Sequence, residues 1–167
     1  VHHLTGSSSF EGFGRSVAVL DDLTGDAIPE IIVGAPWESG SYVGRVYLFS
    51  GADGSVIWMR DGLAPNSDFG KSVAAPGDLD GDGFADILVG APAILDLGRV
   101  HVVSGIDGAI IHTRSGPPSH GWYSSSVRAL HDQNGDGRRD FFAAAGDGWG
   151  EVVFGIGDDG SMPLGAW

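Results

Sequence analysis

The sequence predicts an all-β protein built from repeated units of four antiparallel strands. Three observations carry that prediction: an acidic, glycine-bearing loop that recurs three times, a short apolar strand directly after each loop, and Asp-Gly hairpin turns at regular spacing. Helix-favouring runs are nearly absent. Glycine makes up 29 of 167 residues, against a usual share of about 7%.

Taken in order, each unit opens on a short motif that leads into its first strand. Phe13-Gly14-Arg15-Ser16-Val17-Ala18 matches Phe69-Gly70-Lys71-Ser72-Val73-Ala74, and Tyr123-Ser124-Ser125-Ser126-Val127-Arg128 follows in weaker form, at steps of 56 and 54 residues. The acidic loop comes next, at residues 22–30, 78–86 and 132–140. A second strand follows each loop: Ile31-Ile32-Val33-Gly34-Ala35-Pro36, Ile87-Leu88-Val89-Gly90-Ala91-Pro92 and Phe141-Phe142-Ala143-Ala144-Ala145-Gly146. The first two are apolar, β-branched and cut off by glycine and proline, which marks buried strands of about five residues. A third strand alternates apolar and polar side chains from Gly44, Gly98 and Gly150, and ends in a hairpin at Asp53-Gly54, Asp107-Gly108 or Asp159-Gly160. Fourth strands are expected at residues 55–59 and 109–113. Four antiparallel strands in about 55 residues make the blade of a propeller. The chain therefore reads as one domain, 1–167, with units at about 7–62, 63–116 and 117–167. Residues 1–6 align with the fourth strand at 56–59 and are expected to supply an outer strand that completes another blade.

The middle loop carries the clearest chemistry. Asp78, Asp80 and Asp82 stand at every second position, Asp86 follows, and Gly81 and Gly83 permit the turn that brings their oxygens round one point. Carboxylates gathered that closely repel unless a cation sits between them, and a hard, oxygen-preferring ion fits the set. Ca²⁺ fits better than Mg²⁺, because the loop supplies most of the shell and leaves little room for retained water. An EF-hand would need flanking helices and a Glu at the twelfth loop position, which here is Val89. The expected ligands are Asp78, Asp80, Asp82, the carbonyl of Phe84, and Asp86. The third loop offers Asp132, Asn134, Asp136, Arg138 through its carbonyl, and Asp140; the first offers Asp22, Thr24, Asp26, Ile28 through its carbonyl, and Glu30. Ligand charge and loop flexibility give an expected affinity order of second, third, first.

Phe-Gly at 13–14 and 69–70, the Asp-x-Asp-x-Asp-Gly-x-x-Asp loop at 78–86, and Gly-Ala-Pro at 34–36 and 90–92 together resemble the FG-GAP repeat, the unit of the integrin α-subunit β-propeller. The Ser-Gly-x-Asp-Gly hairpins at 50–54 and 104–108 resemble the bacterial, extracytoplasmic members more than the animal integrins. The resemblance covers nearly the whole chain and implies a Ca²⁺-stabilised propeller used in adhesion or ligand binding, at the cell surface or outside the cell. The first unit departs from the pattern with Thr24, Ala27 and Glu30, and the third lacks Phe-Gly and Gly-Ala-Pro.

The formal charge of −13 excludes general nucleic-acid binding, because a phosphate backbone needs a basic face. The three loops hold ten of the 22 acidic residues, and three Ca²⁺ ions would relieve about six negative charges. Without cysteine there is no disulfide frame and no thiolate metal site. No apolar run approaches the length of a membrane span, so membrane insertion is not expected. The chain starts at Val1 and carries no signal peptide, which is expected of a processed or excised product.

Propellers close with about four to eight blades, so three units leave apolar faces to be covered. A homodimer forming a six-bladed ring is the simplest symmetric solution. Catalysis is not expected: Ser124, Ser125, His131 and Asp132 are nucleophile, base and acid types, but the serines stand where other units have plain strand residues and His131 only precedes a metal loop. Trp37 and Trp149, near the ends of second strands, are the candidate ligand contacts, whereas Trp58 and Trp122 are expected to pack between blades. The leading expectation is a calcium-binding module for extracellular protein interaction or adhesion, with an unidentified protein or glycan partner. The alternatives are a carbohydrate-binding lectin that uses rim aromatics, and a structural accessory domain of a larger secreted protein.

Overall fold

In the computed structural model, residues 2–6, 11–92, 97–117 and 122–153 are described. Among the described residues, eleven strands form three antiparallel sheets, each running through its strands in sequence order. The first sheet holds β1 (Ser16–Leu20), β2 (Glu30–Ala35), β3 (Arg45–Phe49) and β4 (Val56–Asp61). The second holds β5 (Ser72–Gly77), β6 (Asp86–Ala91), β7 (Arg99–Val103) and β8 (Ile110–Ser115). The third holds β9 (Ser126–Ala129), β10 (Phe141–Ala144) and β11 (Gly150–Val153). Four-stranded antiparallel sheets of this kind are consistent with propeller blades. The fourth strands begin one residue later and end two residues later than expected, and their pairing shifts register between Leu48 and Phe49 and between Val102 and Val103. The expected third hairpin at Asp159-Gly160 lies outside the described residues.

The first strands of the units lie side by side, β1 against β5 and β5 against β9. Two cores fill the spaces between sheets. Leu20, Ile32, Val46 and Leu48 of the first sheet meet Val73, Ile87, Val89 and Val103 of the second. Ala74, Leu88, Val100 and Val102 then meet Val127, Phe141, Ala143 and Val153 of the third. Because side chains alternate across a strand, the second sheet buries both faces, which is why β6 is buried at every position. Trp58 packs on the first of these cores and donates its indole N–H to the Gly105 carbonyl at 2.7 Å, tying the first sheet's outer strand to a turn of the second.

The repeated motifs are joints between sheets. The Gly14 amide donates to the Gly34 carbonyl, and the Gly70 amide to the Gly90 carbonyl, each at 3.1 Å. The hydroxyl of Ser16 then donates to Gly70 O, and that of Ser72 to Ser124 O, each at 2.8 Å and each reaching the next unit. Gly34 and Gly90 sit where a β-carbon would lie 2.1 Å from Gly70 O and 2.3 Å from Ser124 O. The Phe-Gly and Gly-Ala-Pro motifs therefore meet across successive units, and the space between them admits only hydrogen at those two positions.

The free face of the first sheet is partly covered by the chain itself. Leu4 and Phe13 pack over Val33, Tyr47 and Phe49, with Phe13 edge-on to Tyr47 at 5.5 Å and to Phe49 at 6.0 Å. Residues 2–6 form no strand. In the chain by itself these residues lie on the unit's own hairpin, where His2 Nε2 is 3.0 Å from Ala52 O. Nearer the inner edge, Val17 and Val19 remain 58% and 63% exposed.

Candidate metal centre

The loop at 78–86 connects β5 to β6, and its shape is held by its own carboxylates. Asp78 accepts the Gly81 amide at 2.6 Å and the Gly83 amide at 2.9 Å; Asp80 accepts Asp82 N at 3.0 Å, and Asp82 accepts Phe84 N at 2.8 Å. Gly81 and Gly83 adopt φ of 86° and 91° in open space, so left-handed backbone and not crowding is what requires glycine there. Ligand oxygens of Asp78, Asp80 and Asp86 lie within 4.8 Å of one another, a cluster that could hold a metal ion. Asp82 is in the same loop but outside that cluster of carboxylates, and the Phe84 side chain is 45% exposed.

Asp86 is the anchor. It is the first residue of β6 and is 1% exposed. One carboxylate oxygen accepts the Leu79 amide at 2.8 Å, with Leu79 itself fully buried. The other oxygen is buried without a hydrogen-bond partner among the described residues. Burial first, and then the charges of Asp80, Asp82 and Asp78, push the Asp86 carboxyl up to about 7 against the pull of the Leu79 amide. An acid in that position lacks a positive partner.

The other two loops repeat the construction. In the first, Glu30 accepts the Leu23 amide at 2.8 Å and keeps its second oxygen buried and without a partner among the described residues. In the third, fully buried Asp140 accepts the Gln133 amide at 2.6 Å. Asp22 and Asp132 each collect several loop amides, from Gly25, Asp26 and Ala27 and from Asn134, Gly135 and Gly137. The amide of Ala27 leads the groups that hold Asp22 below its ordinary value, and the amide of Gly137 does so for Asp132. Asp26 caps the Ile28 amide and Asp136 the Arg138 amide, each at 2.8 Å, while Thr24 and Ile28 are exposed. Asn134 turns its amide nitrogen to Asp136 at 2.9 Å. Ligand spacing includes the last acid but misses its burial and its bond to the amide of the residue after the first acid. The apolar Leu at that place in the first two loops was their signal.

The tryptophans divide differently from expectation. Trp37 is 40% exposed and lines a cavity with Tyr42, Asn66, Asp68, Lys71 and Trp122. Trp149 is half-buried and packs against Tyr123 at a centroid distance of 6.1 Å, away from Trp37. Trp122, expected between blades, is 46% exposed. The serines are structural: Ser124 donates to Arg99 O at 2.6 Å and Ser125 to Trp122 O at 2.5 Å, and neither hydroxyl is paired with His131, which is exposed.

The loops, the Gly-Ala-Pro joints and their order match a known repeat. A family model for the FG-GAP repeat matches residues 13–49 and 69–103. The chain carries FG-GAP repeats. Over part of its length it is homologous to integrin α subunits. It is 41% identical to human integrin alpha-7 and 40% identical to the mouse protein over 108 residues, which is 61% of this chain and 9% of the relative. Integrin alpha-5 of Xenopus laevis is 35% identical over 96 residues, 53% of this chain and again 9% of the relative. The matched FG-GAP segments begin at Phe13 and Phe69 and run through the third strands, so they contain the first two acidic loops whole. The third unit, with Tyr123-Ser124 in place of Phe-Gly, lies outside them.

Proposed function

We propose that this chain is a calcium-binding β-propeller module that mediates protein interaction or adhesion outside the cell or at its surface. The observation that carries the metal reading is the second oxygen of Asp86, buried, unpartnered among the described residues and set beside Asp78 and Asp80. A buried carboxylate without a counter-charge is expensive, and a divalent cation among these oxygens removes the cost. Asp78, Asp80, Asp82, the Phe84 carbonyl and Asp86 would hold the ion; the equivalent sets at 22–30 and 132–140 would hold two more. Ca²⁺ is favoured over Mg²⁺ by an all-oxygen set drawn mostly from one flexible loop. When bound, the ion supplies the positive charge that lets a loop of like charges close, and the loop in turn fixes where β6 begins.

The extracellular reading rests on the homology to integrin α subunits. Among the described residues no helix is long and apolar enough to cross a membrane. The aligned part spans about a tenth of those relatives, so the role in adhesion is an inference from the repeat. Exposed Val17 and Val19 on β1 favour further blades over that face, supplied by a second copy when this chain is alone. The deciding experiment is isothermal titration with CaCl₂ on metal-stripped protein. Saturable uptake that Asp86→Asn weakens supports the reading, and absence of heat with unchanged circular dichroism overturns it.

A further inference from the structure

Three of the nine Lys/Arg residues, Arg15, Lys71 and Arg128, line one cavity of about 370 Å³. It opens where β1 and β5 begin and along β9. Serines from all three units complete it: Ser16, Ser72, Ser125 and Ser126. Among the described residues no carboxylate lines it, although acidic residues outnumber basic ones 22 to 9 in the chain. Arg15 and Lys71 occupy equivalent places in the repeat, directly before the serine that bonds the next unit, so the fold brings both to one mouth.

Lys71 is shared with a second cavity of about 340 Å³. Its ammonium lies 3.2 Å from Asp68 and 5.3 Å from the centre of the Trp37 ring. Around it stand Trp37, Trp122 and Tyr42, 40%, 46% and 58% exposed. Asp68 neutralises Lys71, and Arg128 gives one N–H to Val127 O at 2.9 Å. Beyond that bond, the guanidinium groups of Arg15 and Arg128 face a carboxylate-free cavity.

We infer that these adjoining cavities form a binding site for an acidic oligosaccharide. Guanidinium groups recognise a carboxylate or sulfate by paired, charge-assisted N–H bonds. The hydroxyls of Ser16, Ser72 and Ser125 donate to backbone carbonyls and keep lone pairs that can accept from sugar hydroxyls, and exposed indole faces suit the apolar C–H face of a pyranose ring. A peptide carboxylate would use the cations but leave the aromatic cavity without purpose. A long polyanion would meet the repulsion of the net negative surface. The site uses none of the acidic-loop ligands, so it goes beyond the calcium reading.

The test is calorimetric titration of the whole chain, kept in Ca²⁺, with four probes: a sulfated heparin-derived tetrasaccharide, unsulfated tetragalacturonate, neutral cellotetraose and a tetraglutamate peptide. Either acidic probe should bind at least tenfold more tightly than cellotetraose, and the tighter one identifies sulfate or carboxylate as the group read. Binding should weaken as salt rises. The double variant Arg15→Gln/Arg128→Gln and, separately, Trp37→Ala should each lose at least tenfold; the double variant should melt as the parent does because both arginines are exposed, and Trp37→Ala is read at a temperature where circular dichroism shows it folded. Arg15→Lys, which keeps the charge but not the paired N–H geometry, should bind more weakly than the parent and more tightly than Arg15→Gln. The proposal is overturned if neither acidic probe binds, if cellotetraose binds equally, if the double variant binds as well as the parent, or if a tetraglutamate peptide binds more tightly than both glycans. The calcium reading fails separately, by loss of the chelator effect on melting.

Discussion

Replacing Asp86 by Asn separates the two roles of the buried acid. The amide oxygen can still accept the Leu79 N–H, and the amide nitrogen takes the place of the unpartnered oxygen, where it can donate to Asp78 or Asp80. In chelator the variant should therefore melt no lower than the parent, and above it if the full cost of an unsatisfied buried acceptor, about 1–3 kcal/mol, is relieved. In Ca²⁺ the order should reverse. An ion at a hundredfold excess over its Kd stabilises by about 2.7 kcal/mol per site, which for a chain of this size is about 5–11 °C, and the variant should forfeit that gain at one of three sites. Differential scanning calorimetry at fixed protein concentration, with EDTA and then with saturating CaCl₂, reads both arms. The reasoning is refuted if the variant keeps the parent's full calcium shift, or if the parent shows none.

Further outcomes follow from the same geometry. Filling of the three loops, resolved by NMR titration of the Gly25, Gly81 and Gly135 amides, should begin at Gly81 and end at Gly25; a reversed order would contradict ligand charge as the controlling variable. Gly90→Ala should destabilise by about 1–3 kcal/mol or more in urea melts through overpacking, because its β-carbon would meet the Ser124 carbonyl at 2.3 Å. Gly81→Ala, with open space around it, should cost only about 1–2 kcal/mol of left-handed strain. His101 is 3% exposed, with Nδ1 2.9 Å from Thr113 Oγ1, and burial lowers its pKa to about 4. The unfolded chain then binds the proton first, so stability is full above about pH 6.5 and falls as pH drops toward 4, by about 3 kcal/mol in all; His101→Leu should flatten that acid limb, and an unchanged limb would assign it elsewhere. Tyr123→Phe should cost about 1–2 kcal/mol, since the buried hydroxyl donates to Glu151 beside its bidentate pair with Arg114.

Much of the site was readable because its chemistry is local. A carboxylate two or three residues from a glycine amide closes an Asx-type turn by itself, so Asp78 to Gly83 could be placed without a fold. What the last acid does could not, because its burial depends on Leu79 and β6 being pressed into a sheet with neighbours on both faces. Trp122 and Trp149 exchanged their expected settings for the same reason: exposure is a property of what lies opposite, and sequence position does not report it. The alignment of residues 1–6 to 56–59 gives a strand pattern without naming what it pairs with, and in the lone chain Leu4 packs on an apolar face of its own unit.

Sequence alone determined the repeat, the strand order within each unit, the acidic loops and the homology, since these depend on spacing along the chain and on short-range hydrogen bonding. The tertiary structure decided that Gly34 and Gly90 are contact points between units, that Asp86 is buried with one oxygen unpartnered, and that Arg15, Lys71 and Arg128 share a cavity. Those facts depend on residues of different units, and only the packing of one sheet on the next brings them within reach.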